Sequence, residues 1–189
     1  MAGKLIIFSA PSGAGKTTIV KYLLESGLPL EFSISACTRA PRTGEVHGKD
    51  YYFLTVDDFK QKIDNQEFIE WEEVYPGNYY GTLKSELKRI WNNNNHVLFD
   101  IDVQGGVNLK QKFPDNTLSV FVMPPCVEEL ENRLRNRSTD DEATIQKRVN
   151  KAVLELKFAD KFDVILVNDI LQDAQQKAFN LVSEFISKK

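Results

Sequence analysis

The sequence predicts an α/β fold, a three-layer core with a parallel sheet between helices and a small α+β insertion at one edge. Three observations predict it. Short apolar runs alternate with stretches of helical spacing, a glycine-rich loop follows the first apolar run, and residues 32 to 82 break the alternation.

The apolar runs are Leu5–Phe8, Val97–Ile101, Leu118–Met123 and Val164–Val167. Each is bounded by polar or turn residues and has the length of a buried strand. Strands apolar on both faces need cover on both faces, which is how parallel sheets are built. Helical spacing follows the first run over Thr17–Leu24 and the second over Val107–Phe113. It follows the third over Cys126–Arg135 and Ile145–Phe158, and Leu171–Ile186 ends the series. Asn92 to Asn95 reads as a loop after a helix. Within the insertion, Phe32–Ala36, Asp50–Leu54 and Phe68–Val74 alternate polar and apolar residues as strands do, and Val56–Asn65 reads as a helix. Thr55 with Asp58 resembles a capping box, which satisfies N–H groups that a helix start leaves open. A second, polar insertion is expected at 136–141, NRSTDD, between two helices.

Composition bounds the function. A chain of 189 residues suffices for one substantial core. Hydrophobic content of 42 % and charged content of 27 % are near those of soluble globular proteins. The net charge of −3 argues against a general nucleic-acid binder, which needs a basic stripe. The leading segment MAGKLIIFSAPSG has one apolar run of four residues, too short for a secretion signal, and no stretch has the length to span a bilayer. Cys37 and Cys126 form no CxxC pair, which leaves free thiols in a reducing compartment rather than a disulfide framework or a zinc site. A cytoplasmic location without membrane contact is expected.

The glycine-rich loop is Ala10-Pro11-Ser12-Gly13-Ala14-Gly15-Lys16-Thr17, followed by Thr18. It lies between a strand and a helix, the context of the phosphate-binding pattern G-x-x-x-x-G-K-[ST]. Glycines let successive N–H groups curl inward, and the helix N-terminus favours anionic phosphate. Lys16 adds a point charge for the β- and γ-phosphates, and the Thr17 hydroxyl suits Mg²⁺. The pattern's first glycine is Ala10 here, so no glycine-only backbone is required there. The loop alone implies a nucleoside triphosphatase or kinase.

The acceptor must be read elsewhere. Arg39 and Arg42 flank Pro41, which excludes a continuing helix and places two guanidiniums on a constrained loop. Such a pair suits a phosphate gripped bidentately. His47 and His96 have no nucleophile or ligand partner at telling spacing, and Trp71 and Trp91 read as packing residues.

The blocks APSGAGKTT, SISACTRAPRTGEVHGKDYYF, EFIEW, GNYYGT and FDIDVQG together resemble the guanylate kinase family, and NRLRNR, QKRV and VND extend the likeness over nearly the whole chain. The resemblance implies ATP and GMP as substrates, Mg²⁺, and a division into three parts. These are a core of 1–32, 83–124 and 159–189 with the phosphate loop, a GMP-binding subdomain at 33–82, and a helical lid at 125–158. It implies that Arg39, Arg42, Tyr51 and Tyr80 hold the GMP phosphate, and that Ser35, Glu70 and Thr82 read guanine, with Gly81 and Gly105 beside them. An ionised Glu70 can accept from guanine N1–H and the exocyclic amino group, a pattern adenine does not offer. Asp102 is a further candidate for the amino group.

Asp100 ends a buried strand, where α/β proteins place ligands. By resemblance it acts near Mg²⁺, through water, and near both phosphates. Its alternative is a strand-end residue capping a turn. Arg133, Arg137 and Arg148 match lid arginines that close over ATP, Arg135 reads as a solvated charge, and Asn168 is either an adenine contact or a plain loop residue. Lys16, Arg39, Asp100, Arg133, Arg137 and Arg148 form the expected catalytic set, because phosphoryl transfer needs positioning and cationic stabilisation. Two alternatives stand beside an active kinase on GMP: a catalytically inactive guanylate-kinase-like protein-binding module, and a kinase for another monophosphate. Monomer and homodimer are both left open.

Overall fold

The computed structural model describes residues 3–137 and 141–188. β1 (Leu5–Ser9) leads through a loop into α1 (Lys16–Glu25), then β2 (Leu30–Phe32). A second region holds β3 (Ala36–Cys37), β4 (Tyr52–Phe53), α2 (Val56–Asp64), β5 (Phe68–Tyr75) and β6 (Asn78–Leu83). The chain returns through α3 (Lys84–Asn92) to β7 (His96–Asp100), α4 (Val103–Lys112) and β8 (Thr117–Met123). It then forms α5 (Val127–Arg137), α6 (Glu142–Leu156), a short 3₁₀ turn, β9 (Val164–Val167) and α7 (Leu171–Ser187). No helix among the described residues is long and apolar enough to cross a membrane.

The first sheet runs β2-β7-β1-β8-β9, and every pairing in it is parallel. Its side chains alternate between two buried layers. Ile6, Phe8, Leu98 and Val120 pack on one face against Ile19, Val20 and Leu23 of α1 and Ala174, Ala178 and Val182 of α7. Leu5, Ile7, Val97 and Phe99 pack on the other against Leu87 and Ile90 of α3 and Leu109 of α4. The expected three-layer α/β core is therefore present. The edge strand β9 differs from expectation, because Ile165 and Val167 are half exposed rather than buried on both faces.

The second sheet, β4-β3-β6-β5, has its own small core of Ala36, Phe59, Phe68 and Leu83, with Phe59 and Phe68 stacked at 4.3 Å. The single strand expected over Phe32–Ala36 is split between the two sheets. The backbone turns away at Ile34, whose N–H goes to the buried carboxylate of Glu86 at 3.0 Å instead of to a ladder. Glu86 also accepts from Tyr52 Oη and Arg89, so it pins both crossings between the sheets. At α2 the expected cap is found, with Thr55 Oγ1 accepting from Asp58 N at 3.0 Å. α5 and α6 pack on each other through Leu130, Leu134, Ile145, Val149 and Ala152. Of the insertion expected at 136–141, residues 138–140 lie outside the described residues.

Candidate active site

β1 and β7 are neighbours, with Phe8 opposite Asp100, so the segments that leave their C-terminal ends emerge side by side. The first is the phosphate loop. It reverses at Gly13 (φ 93°) and Gly15 (φ 91°), a region open to glycine. Ala10 does not take that region; among the described non-glycine residues only Gln66 and Asn94 do. At Gly15 space adds a second constraint, since a Cβ there would overlap the Asn168 amide. α1 begins with no acidic side chain in its first turn and no side-chain cap, so its positive end is left for an anion. Thr18 lies in that first turn, its N–H on Gly15 O.

The second segment carries Asp100 and Asp102. Asp100 receives Lys16 Nζ at 2.6 Å on one oxygen and the Thr17 hydroxyl at 3.0 Å on the other. Lys16 Nζ also donates to Ile101 O at 2.7 Å. Asp102 caps α4, accepting from Gly105 N at 2.9 Å, while Ser9 Oγ donates to its carbonyl. Gly105 has no side chain to fill the space before the carboxylates of Glu70 and Asp102.

From the second sheet, Glu70 projects between these segments. Thr82 Oγ1 donates to it at 2.7 Å. Burial pushes its carboxyl up to about 7, helped by the charges of Asp102 and Glu72 and opposed by the Thr82 bonds. Tyr51 and Tyr80 meet edge to face at 6.3 Å, and burial also raises the Tyr51 phenol. Arg39 lies over the Tyr51 ring at 4.8 Å and is gripped by both oxygens of Glu45, at 2.6 and 2.7 Å. That grip, with the Arg42 N–H, holds the Glu45 carboxyl down at about 2 and raises the Arg39 guanidinium. Arg42 itself is exposed.

One cavity of about 440 Å³ joins these parts. Its walls are the phosphate loop, Ser35, Tyr51, Glu70, Tyr80, Gly81, Asp100 and Asp102, with Arg148 from α6. Arg148 Nη2 donates to Ser12 Oγ at 2.7 Å. Thr82 acts behind Glu70, and Arg39 stands behind Tyr51. Arg133 pairs with Glu129 at 2.8 Å and donates to Asn168 O at 3.1 Å. Arg137 closes α5, and its side chain lies outside the described residues. Asn168 is buried behind the loop with its amide on Ala14 O at 2.7 Å, a scaffold position for the phosphate loop.

Sequence reasoning missed Lys151 and Glu155, which also line this cavity. The available signal was their helical spacing from Arg148. It also left Glu45 without a role, although its position three residues after Arg42 placed it within reach of the arginine loop.

The oxygen set at Thr17 and Asp100 suits a hard cation carried in on a nucleotide. One carboxylate beside one hydroxyl leaves room for phosphate oxygens and waters. Among the described residues there is no cluster of three or more acidic, histidine or cysteine side chains placed to cage a metal.

A family model described as Guanylate kinase matches residues 2–187. The chain is similar to a guanylate kinase of Bacteroides thetaiotaomicron, 49 % identical over 189 residues, all of this chain and 93 % of that protein. It is similar to a guanylate kinase of Porphyromonas gingivalis, 47 % identical over 98 % of this chain and 99 % of that protein. Among solved structures, the crystal structure of guanylate kinase from Anaplasma phagocytophilum superposes with a TM-score of 0.80 at 29 % identity, over 100 % of this chain and 88 % of that one.

Proposed function

The chain belongs to the guanylate kinase family, a nucleoside monophosphate kinase acting on GMP, and from that premise we propose how its residues carry the transfer from ATP. The observation that supports the reading best is the single cavity in which the phosphate loop faces Glu70, Tyr51 and Tyr80. A donor nucleotide on the loop and an acceptor monophosphate on the second sheet would share that space.

In this reading, Gly13 to Thr18 hold the ATP phosphates on backbone N–H groups and the free end of α1, and Asn168 keeps the loop in shape from behind. Arg39, Arg42, Tyr51 and Tyr80 hold the GMP phosphate. Ser35, Glu70 and Thr82 read guanine. Thr82 keeps one oxygen of Glu70 oriented, and Asp102, fixed by its cap on Gly105, faces the same pocket. Binding of guanine N–H donors draws Glu70 into its ionised form, since hydrogen bonds to a carboxylate favour the charged state. Lys16, Arg148 and Arg133, with Arg137, supply positive charge around the transferring phosphoryl group. Asp100 orients Lys16 and Thr17. Mg²⁺ fits beside Thr17 and Asp100, where it would neutralise charge on the phosphates of ATP. The acceptor is already a phosphate oxygen, so no side chain has to remove a proton before transfer.

Residues 33–82 form the acceptor subdomain, 125–158 the lid, and the remainder the core; the separate small cores of the second sheet and of the α5–α6 pair support this division. An inactive protein-binding module gains no support, and the loop, Asp100 and Arg148 all face one cavity. A cytoplasmic location is part of the same proposal. The test is a coupled assay of ADP formation with ATP, Mg²⁺ and GMP, dTMP or AMP. GMP-dependent ADP release is expected; release that prefers AMP or dTMP would refute the guanine assignment.

A further inference from the structure

The stripe of α6 that borders the cavity carries more than Arg148. Arg148, Lys151 and Glu155 are spaced by three and four residues, one side of a helix. Arg148 ends on Ser12 of the phosphate loop. Lys151 and Glu155 lie further along, where with Asp102 they border a second cavity of about 210 Å³. Glu72 and Val74 of β5 form another part of its wall. On β5, Glu70, Glu72 and Val74 alternate onto one face, so the strand that reads guanine also presents Glu72 toward α6.

The charges there are unequal. Glu72, Asp102 and Glu155 are acidic, and Lys151 is the one cation among the described residues lining this cavity. Lys151 pairs with Glu155 at 3.7 Å. Burial, the charge of Asp102 and a hydrogen bond to it push the Glu72 carboxyl up to about 7, while Lys151 pulls it down. Burial raises Glu155 as well, with Asp102 adding to the rise and Lys151 opposing it. Such a cluster gains most from a cation brought closer, because each carboxylate is partly stripped of water.

We propose that Glu72 and Lys151 are positioning residues for the transfer. They form an ion-pair clasp between β5 and α6 that closes over Asp102 and couples guanine recognition to the docking of Arg148 on the phosphates. Lysine has three donors on a flexible stem, so it can reach Glu72 without releasing Glu155. Asp102 is held by its cap on Gly105 and is the fixed point over which the clasp closes. A guanine held by Glu70 stiffens the strand that carries Glu72, and the clasp then holds α6 where Arg148 already meets the loop at Ser12. This clasp rests on the reading of GMP as acceptor.

The test is a double-mutant cycle in the full chain with Glu72→Gln, Lys151→Met and the pair, read as KM for GMP, KM for ATP and kcat. Each single change is expected to raise KM for GMP about three- to fivefold, the scale of a partly exposed ion pair, and to lower kcat by a similar factor because Arg148 is then held less well on the phosphates. The double variant is expected to be no worse than the worse single, because both remove the same interaction. Additive losses, unchanged singles, or a rise in KM for GMP with kcat untouched would overturn the clasp. Lys151→Met sits at an exposed helix position, so it keeps the test independent of how β5 tolerates substitution. A wild-type protein that does not phosphorylate GMP would overturn the acceptor reading itself; an active wild type with indifferent variants overturns the clasp alone.

Discussion

In the proposed reading Glu70 has to be an anion to accept from guanine, yet burial pushes its carboxyl up to about 7. The sign of its pH dependence follows. Its folded pKa, about 7, lies above the ordinary 4.5, so the folded chain holds this proton more tightly than the unfolded chain does. The buried acid therefore weakens the fold as pH rises from about 4.5 to 7, by about 3 kcal/mol at most on a shift of that size. Guanine binding runs the other way, and kcat/KM for GMP is expected to climb between pH 6 and 8 and then level. Glu70→Gln should flatten that climb and lower kcat/KM for GMP by about 10- to 100-fold, the worth of a charge-assisted hydrogen bond, with little change for AMP. Steady-state kinetics across pH check both statements; an unchanged profile would remove Glu70 from recognition. Lys16→Ala should lower kcat by about 100-fold or more while KM for GMP stays put, since its charge matters most as the phosphoryl group moves. A KM effect confined to GMP would place Lys16 elsewhere.

At the scale of elements, the phosphate loop depends on what stands behind it. Gly15→Ala combines a left-handed backbone with an overlap on Asn168, and the expected cost is about 1–3 kcal/mol with loss of ATP binding. Thermal unfolding with and without ATP would show both, and a fully stable, ATP-binding variant would contradict the packing described here. Much of the fold was legible because its signals are local. The apolar runs of β1, β7 and β8 and the Thr55 cap announce themselves within a few residues. The split at Phe32–Ala36 was not legible, because the carboxylate that turns the chain comes from Glu86, more than fifty residues away. β9 reads as apolar on both faces, but sheet order makes it an edge. The walls of the cavity were legible wherever a motif carried them, as in the loop and Glu70, whereas Arg39 stands behind Tyr51. Lys151 and Glu155 belong to no such motif and reach the cavity through the packing of α6. Asn168 was open between two roles in the sequence, and its buried amide donates to Ala14 O.

On the scale of the whole molecule, the proposed reading divides the labour between the two sheets, with the donor loop on the parallel sheet and the acceptor pocket on the second. The division predicts separable losses. Chelation of Mg²⁺ should abolish transfer while calorimetry still detects GMP binding, because no residue of the proposed guanine set depends on the metal. GMP binding that vanished with the metal would argue that the two halves are not independent. The two cations at the heart of each half share one trait: Lys16 grips Asp100 and Arg39 grips Glu45, carboxylates of the chain's own. In the proposed reading, a phosphate entering either half exchanges with a resident carboxylate, and at the loop it also meets the uncapped positive end of α1. On that reading a dianionic phosphate, with higher charge and a third oxygen, displaces the resident carboxylate where a singly charged metabolite such as acetate does not, and selection by valence would precede the reading of any base.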